Sequence, residues 1–323
     1  MDPARFYADS RVLIVAGKGG VGKSTTSAAL ARSAARAGLT TLLVRLAPGG
    51  PVAGLFGGVE VGVDGTVLRP GDDREAAVEG RLLTPDHALA EYLADHGLSR
   101  VTRRLVSTGA IDVVTTAAPG IRDLLVLGRV KALETTRAAD LIVLDAPAAG
   151  HAIEFLRSPT GLLGAVRTGP IATQAVDVLE MLADPSRCRV VLVTLPEETP
   201  VNEVVETAFT LEDEIGVRLG PVVVDQVLPV PAGIDADVDA LARDCAASLT
   251  PTQIDALRGA TGFLLERAGR QREQIARLRE ALPLDTIELP WLATIAPGPV
   301  ELETLADALD AGLRGVASHG GAP

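Results

Sequence analysis

Aromatic side chains are scarce in this 323-residue chain: one Trp, two Tyr and five Phe make up 2% of it, against 47% hydrophobic residues. A core with so few rings has to be assembled from Ala, Val and Leu. Cysteine is nearly absent. Cys188 and Cys245 stand far apart without a CxxC spacing, which excludes a disulfide framework and leaves buried thiols in a reducing compartment as the expectation. Positive charge is in deficit, with 30 basic against 42 acidic residues and a formal net charge of −12. With no basic stripe to offset that balance, nucleic-acid binding is excluded. No run of 18 apolar residues occurs and no charged-then-apolar leader opens the chain, so a soluble, cytoplasmic protein without a transmembrane segment is expected. There is no 20–50-residue repeat and no flexible linker.

Lysine is the rarest of the charged residues. Only Lys18, Lys23 and Lys131 occur among the 30 basic residues, and two of the three fall in one short stretch, Arg11-Val-Leu-Ile-Val-Ala-Gly-Lys-Gly-Gly-Val-Gly-Lys-Ser-Thr25. A β-branched apolar run leads into a glycine-rich turn and then into a helix-forming segment. Gly17, Gly22, Lys23 and Ser24 fit G-x-x-x-x-G-K-[ST]. Glycines let successive backbone N–H groups curl around phosphate oxygens, and the following helix points its positive end at the same anion. Gly17, Gly19, Gly20, Val21, Gly22, Lys23, Ser24 and Thr25 are therefore the candidate phosphate ligands. Lys23 is the counter-charge for the β- and γ-phosphates, and the Ser24 hydroxyl is the candidate Mg²⁺ ligand.

The form Gly-Lys-Gly-Gly-Val-Gly-Lys-Ser-Thr, with Lys18 directly after the first glycine, resembles the deviant Walker A of the family that contains the arsenite-pump ATPases, the tail-anchored-protein targeting ATPases, the nitrogenase iron protein and the septum-positioning ATPases. In that family the first lysine reaches across a dimer to the partner's nucleotide. The resemblance thus implies catalytic roles for Lys18 and Lys23, and a dimer, either of two identical chains or with a paralogous ATPase.

A second signal is Ala139-Asp-Leu-Ile-Val-Leu-Asp-Ala-Pro-Ala-Ala-Gly-His151. Four apolar residues end in Asp145, where a carboxylate at the tip of a buried strand can hold Mg²⁺ through water. The residues from Asp145 to His151 resemble the family's switch II, D-T-A-P-T-G-H. That likeness implies that Gly150 donates to a γ-phosphate and that Pro147 stiffens the segment, with His151 a structural or communicating residue rather than a general base. Asp225-Gln-Val-Leu-Pro229 stands where relatives carry N-Q-x-x-P, which makes Asp225, Gln226 and Pro229 candidate contacts to the base. A carboxylate accepts from an exocyclic amine but cannot donate to adenine N1. Guanine is therefore open as an alternative, with adenine kept as the expectation.

The family pattern fails at switch I. Relatives resemble S-T-D-P-A-H-N-L-S-D-A-F-G there. Aligned on Pro48, Phe56 and Gly57, this chain has Arg45, Leu46 and Ala47 before the proline and Gly54 at the second acidic position. No acid lies between Thr40 and Val59. The aspartate that in the family orients or deprotonates the attacking water has no counterpart. Among relatives the chain looks most like the degenerate member of paired actinobacterial ATPases. ATP and Mg²⁺ are the cofactors implied. With Cys188 and Cys245 far apart, no interface zinc is expected and no cysteine triad is present for arsenite. With Met1 and Met181 alone, no methionine-lined groove for a membrane helix is supported.

The rest of the chain reads as α/β: a doubly wound, mostly parallel sheet with an inserted helical subdomain, all within a single domain over 1–323. Helices are expected over Lys23–Ala37 with Gly38 as cap, over Thr84–Leu93, and over Pro200–Ile215. Phe155–Ala183 is expected as helices broken at Pro159, Gly161 and Gly169. Two more are expected in Asp235–Leu282, divided at Thr250-Pro251, and a closing one over Val300–Leu313. Strands are expected at Thr40–Leu46, Arg189–Leu195, Gly220–Val224 and Thr286–Leu289. Residues 59–107 are less regular apart from that helix at Thr84, and Arg100, Arg103 and Arg104 read as a solvated face. The insert is placed at approximately 72–130 and 152–185, and the tail from about 315 is expected to be disordered.

Overall fold

A computed structural model of the chain describes residues 2–95, 120–244 and 248–316. A short helix α1 (Pro3–Ala8), capped by Asp2, precedes β1 (Val12–Gly17), which is buried along its whole length. Helix α2 (Lys23–Arg36) leaves the glycine-rich turn and ends in a Schellman motif, with Leu39 N–H on the Ala34 carbonyl and Gly38 N–H on that of Ala35. Then come β2 (Thr41–Arg45), the one-turn α3 (Val52–Leu55), β3 (Thr66–Arg69), β4 (Val78–Leu82) and α4 (Pro85–Asp95). After the undescribed segment stand α5 (Ile121–Thr135), β5 (Leu141–Ala148), α6 (Ala149–Ala165) and α7 (Pro170–Ala183). β6 (Cys188–Thr194) and α8 (Glu198–Phe209) follow, and α8 runs on as a π-helical turn over Thr210–Ile215. β7 (Leu219–Val227), α9 (Val238–Asp244), α10 (Pro251–Ala281), β8 (Thr286–Pro290) and α11 (Pro299–Gly315) complete the chain.

The eight strands form one sheet in the order β3-β4-β2-β5-β1-β6-β7-β8, parallel throughout except where β3 meets β4. Successive side chains of a strand point to opposite faces, and both faces are covered. Ile14, Val44, Leu144, Leu192 and Val224 face α5 to α8 and α10, whereas Leu13, Leu43, Val143, Val191 and Val223 face α1, α2, α3 and α11. The side chains of both layers are mostly Ala, Val and Leu, as the shortage of aromatics required. β1 lies between β5 and β6, so the chain leaves it in opposite directions and a crevice opens at the carboxyl ends of the strands. The doubly wound α/β expectation holds.

Two local readings change. The less regular stretch 59–107 holds two strands that were not expected: β3 and β4 fall there, and β4 pairs with β2 inside the main sheet. Their half-buried, charge-bearing strands lie at and next to the sheet edge, where an apolar run is not needed. The expected breaks at Pro159 and Gly161 do not occur, and α6 runs through both. Pro159 has no N–H for the Phe155 carbonyl, but the Ser158 hydroxyl donates to that oxygen at 2.8 Å. Gly169 does break the chain, as the N-cap of α7. Thr250 caps α10 in a reciprocal box with Gln253. In the region expected as a helical insert, α4, α5, α6 and α7 pack on one another, and Lys131 ties α5 to α7 through Asp177 at 2.8 Å. Cys188 is buried, and burial pushes its thiol up to about 12. Cys245, Arg100, Arg103, Arg104 and the residues after 316 lie outside the described residues.

Candidate functional site

The site is assembled where β1 stops. Gly17 closes the strand so tightly that a Cβ there would stand 2.2 Å from the Val193 carbonyl oxygen of β6. Gly22, at φ 92, is the left-handed N-cap of α2, a conformation that a side chain resists. Between them Lys18, Gly19 and Gly20 are exposed and Val21 is buried as the loop's anchor, while Lys23, Ser24 and Thr25 begin α2 half-buried. The Lys23 ammonium folds back to donate to the Lys18 carbonyl at 2.8 Å. Partial burial lowers its pKa, and the Asp145 carboxylate pulls it back up.

β5 brings the second half. Parallel pairing sets Asp145 beside Val15 of β1 on one side and beside Arg45 of β2 on the other. The Ser24 hydroxyl donates to Asp145 Oδ2 at 2.7 Å. Burial raises the Asp145 carboxyl above the ordinary value, and Ser24, Arg45 and Lys23 each draw it down. Ser24 and Asp145 are therefore together, as expected of two Mg²⁺ ligands. Their hydroxyl and carboxylate oxygens suit a small, hard cation held partly through water. Pro147 lies near the end of β5, just before α6, and Gly150 in the first turn of α6. His151 is exposed. It also lies near Asp123 of α5, whose carboxyl burial pushes up and the imidazole draws down.

The base-contact candidates separate. Gln226 is exposed at φ 61, and Pro229 is exposed beside it. Asp225 is only 5% exposed and is turned toward the loop: a Cβ on Gly22 would fall 1.9 Å from its Oδ2. Its Oδ1 accepts from the Gln226 N–H at 2.8 Å, while burial drives the carboxyl up to about 7. Gln271 of α10 holds this turn from behind, accepting from Leu228 N–H at 2.8 Å and donating to the Gln226 carbonyl at 3.1 Å.

Three residues enter that the sequence did not put forward. Glu203 of α8 takes the Lys18 ammonium at 2.5 Å. Gln271 clamps the turn after Asp225. Arg45, at the end of β2, is 6% exposed, with Nε 3.8 Å from Asp145 Oδ2. A charged residue ending an otherwise apolar strand was the available signal for Arg45. Glu203 and Gln271 gave none, because their partners lie 185 and 45 residues away.

Residues 10–168 match the profile of the anion-transporting ATPase family, ArsA_ATPase. The chain is 29% identical over 316 residues to the ATPase BagA of Mycobacterium tuberculosis, spanning 94% of this chain and 89% of that protein. It is 31% identical over 254 residues to an arsenical pump-driving ATPase of Acidiphilium multivorum, spanning 71% of this chain and 41% of that one. It is 27% identical over 175 residues to the ATPase get3 of Schizosaccharomyces japonicus, spanning 52% of each. Among the described residues no helix is long and apolar enough to cross a membrane.

Proposed function

The chain belongs to the anion-transporting ATPase family, and from that premise we propose that it is an ATP-binding subunit whose own hydrolysis is weak and is completed by a paralogous partner. Family members are ATPases. The observation that carries the finer reading is an asymmetry within one site. Lys23, Ser24 and Asp145 stand together at the carboxyl ends of β1 and β5, while Arg45 to Gly58 contains no acid.

In this reading the backbone N–H groups of the glycine-rich loop and the start of α2 take the phosphates. Lys23 leaves the Lys18 carbonyl to neutralise them. Ser24 and Asp145 would hold Mg²⁺, which would supply charge neutralisation to the phosphates. Pro147 and Gly150 connect this grip to α6. Lys18 leaves Glu203 to serve a partner's nucleotide, so that two chains complete each other's sites. Gln226 and Pro229 flank the base from the exposed turn, and Asp225 supports the loop from beneath.

What switch I lacks is an acid to orient or deprotonate water. Losing a general base typically costs ~10²–10⁴-fold in rate. The test is single-turnover phosphate release from ATP by the isolated chain, by Lys23→Ala, and by the chain mixed with candidate paralogues. Slow release alone, faster release with a partner, and none with Lys23→Ala are expected. Fast turnover by the isolated chain would refute the reading. Nucleotide-induced stabilisation with no phosphate release under any pairing would make the chain a nucleotide-responsive scaffold instead.

A further inference from the structure

Arg45 is the one strongly buried cation at the mouth of the site among the described residues, and its surroundings do not account for it. β2 and β5 place it in register with Asp145. The closest approach to that carboxylate, 3.8 Å from Nε to Oδ2, is an ion pair longer than a hydrogen bond. Nε has no hydrogen-bond acceptor. The same Asp145 oxygen is already engaged by the Ser24 hydroxyl at 2.7 Å. A guanidinium kept out of water with one shared counter-ion is poorly compensated.

The loop after β2 is shaped around this side chain. A Cβ on Gly50 would stand 3.3 Å from the terminal Nη2 of Arg45, so the Gly49-Gly50 turn closes directly over the guanidinium. The head group is thus held between the Ser24–Asp145 pair on one side and the switch I loop on the other. Lys23 starts α2 one residue before Ser24, with its ammonium on the Lys18 carbonyl of the loop. Two cations, Arg45 and Lys23, therefore stand at this mouth beside the one carboxylate of Asp145, an excess of positive charge. That excess suits a polyanion.

We infer that Arg45 is a phosphate ligand of this site, and that its guanidinium supplies within the protein the positive charge that a Mg²⁺ ion would otherwise bring, so that this chain binds a nucleoside triphosphate with little dependence on Mg²⁺. The guanidinium fork matches phosphate oxygens in a bidentate fashion that a point charge cannot. The inference rests on the reading that the glycine-rich loop holds a nucleoside triphosphate. It adds a ligand from switch I, the segment that otherwise departs from the family pattern.

The test is isothermal titration of ATP into the full chain with Mg²⁺ and with EDTA, for the wild type, Arg45→Met and Lys23→Ala. The wild type is expected to change its Kd by less than about tenfold when Mg²⁺ is removed. Arg45→Met, which keeps the length of the stem, is expected to lose about tenfold or more in EDTA beyond its loss with Mg²⁺, the scale of one charge-assisted contact. A wild-type Kd that weakens more than about tenfold in EDTA overturns the inference while leaving nucleotide binding intact. An Arg45→Met chain with the wild-type ratio does the same. No ATP binding by the wild type in either condition, indistinguishable from Lys23→Ala, overturns the nucleotide reading itself. The wild-type comparison decides the matter even where Arg45→Met does not fold.

Discussion

Replacing Asp225 by asparagine should stabilise the protein in mildly alkaline solution and much less in mildly acidic solution. The Asp225 carboxyl is buried against Gly22, with a single backbone N–H donor on Oδ1, and burial lifts it from 3.8 to about 7. Between those two values the folded chain binds a proton that the unfolded chain has released. Stability therefore falls as pH rises through that window and levels off above about 7. At about 1.4 kcal/mol for each tenfold change in proton affinity, the whole lift amounts to about 4 kcal/mol. Between about pH 5 and about pH 8 nearly 3 kcal/mol of it is expressed. The amide of the variant would not titrate. It also brings an N–H₂ against Gly22, an offset of about 1–3 kcal/mol that is the same at every pH. The quantity to measure is the difference between Asp225→Asn and wild type in urea unfolding free energy, taken at about pH 5 and again at about pH 8. The variant should gain about 3 kcal/mol on the wild type between the two. A difference that does not vary with pH would show that Asp225 stays ionised in the folded chain, and would refute its burial behind the loop.

Gly22→Ala would set a methyl group against Asp225 in a left-handed backbone. It should destabilise the chain by about 1–3 kcal/mol and abolish ATP binding, and calorimetry should show binding still absent when Asp225→Ala relieves the clash alone. Arg32 of α2, almost wholly buried, donates to Glu303 of α11 at 2.6 Å and to Glu75 at 2.9 Å. Arg32→Ala should cost about 3 kcal/mol in urea unfolding, at the low end for a broken buried pair because both acids keep some contact with water. Glu203→Gln removes an exposed ion pair and should shift stability by less than about 1 kcal/mol. The same change should raise the ATP-dependent dimer fraction in sedimentation velocity by freeing Lys18, and an unchanged fraction would argue against a role for Lys18 across an interface.

What was legible from the residues is what is local. Gly17 to Thr25 and Asp145 to His151 each carry their chemistry within a few residues of spacing, and the strand-turn-helix and strand-end contexts follow from the same stretch. The helix caps at Gly38 and Thr250 and the break at Gly169 were equally readable, because each is a statement about one or two residues. Arg45 was visible as an oddity in switch I and invisible as a neighbour of Asp145, since that proximity is created by parallel pairing between strands far apart in the chain. The likeness of Asp225-Gln-Val-Leu-Pro229 to N-Q-x-x-P points Asp225 at the base. Only the packing of β7 beside β6, with the glycine-rich loop folded over both, turns its carboxyl onto Gly22. Pro159 predicted a break because the hydroxyl that replaces its missing donor comes from the residue just before it, a local compensation that propensity does not count.

The acids of the site bear on turnover in a way that neither motif does alone. A water molecule in line with a γ-phosphate needs a carboxylate that is ionised, reachable and not already committed. Asp145 is committed, holding the Ser24 hydroxyl and facing Arg45 and Lys23. Asp225 is not reachable, lying beneath Gly22 with its proton held up to about neutral pH. Glu203 stands beside Lys18 on the outside of the loop, in an exposed pair. Switch I contributes a guanidinium and no acid. Among the described residues, each of these three carboxylates is therefore assigned to holding the loop, its lysine or its hydroxyl, and none of them is left to act on water. On the proposed reading, such a site grips a triphosphate through several positive contacts and, among these three carboxylates, keeps none for cleaving it. In the function proposed above, the base is supplied by a second chain, and Lys18 at the rim is what this chain contributes in return.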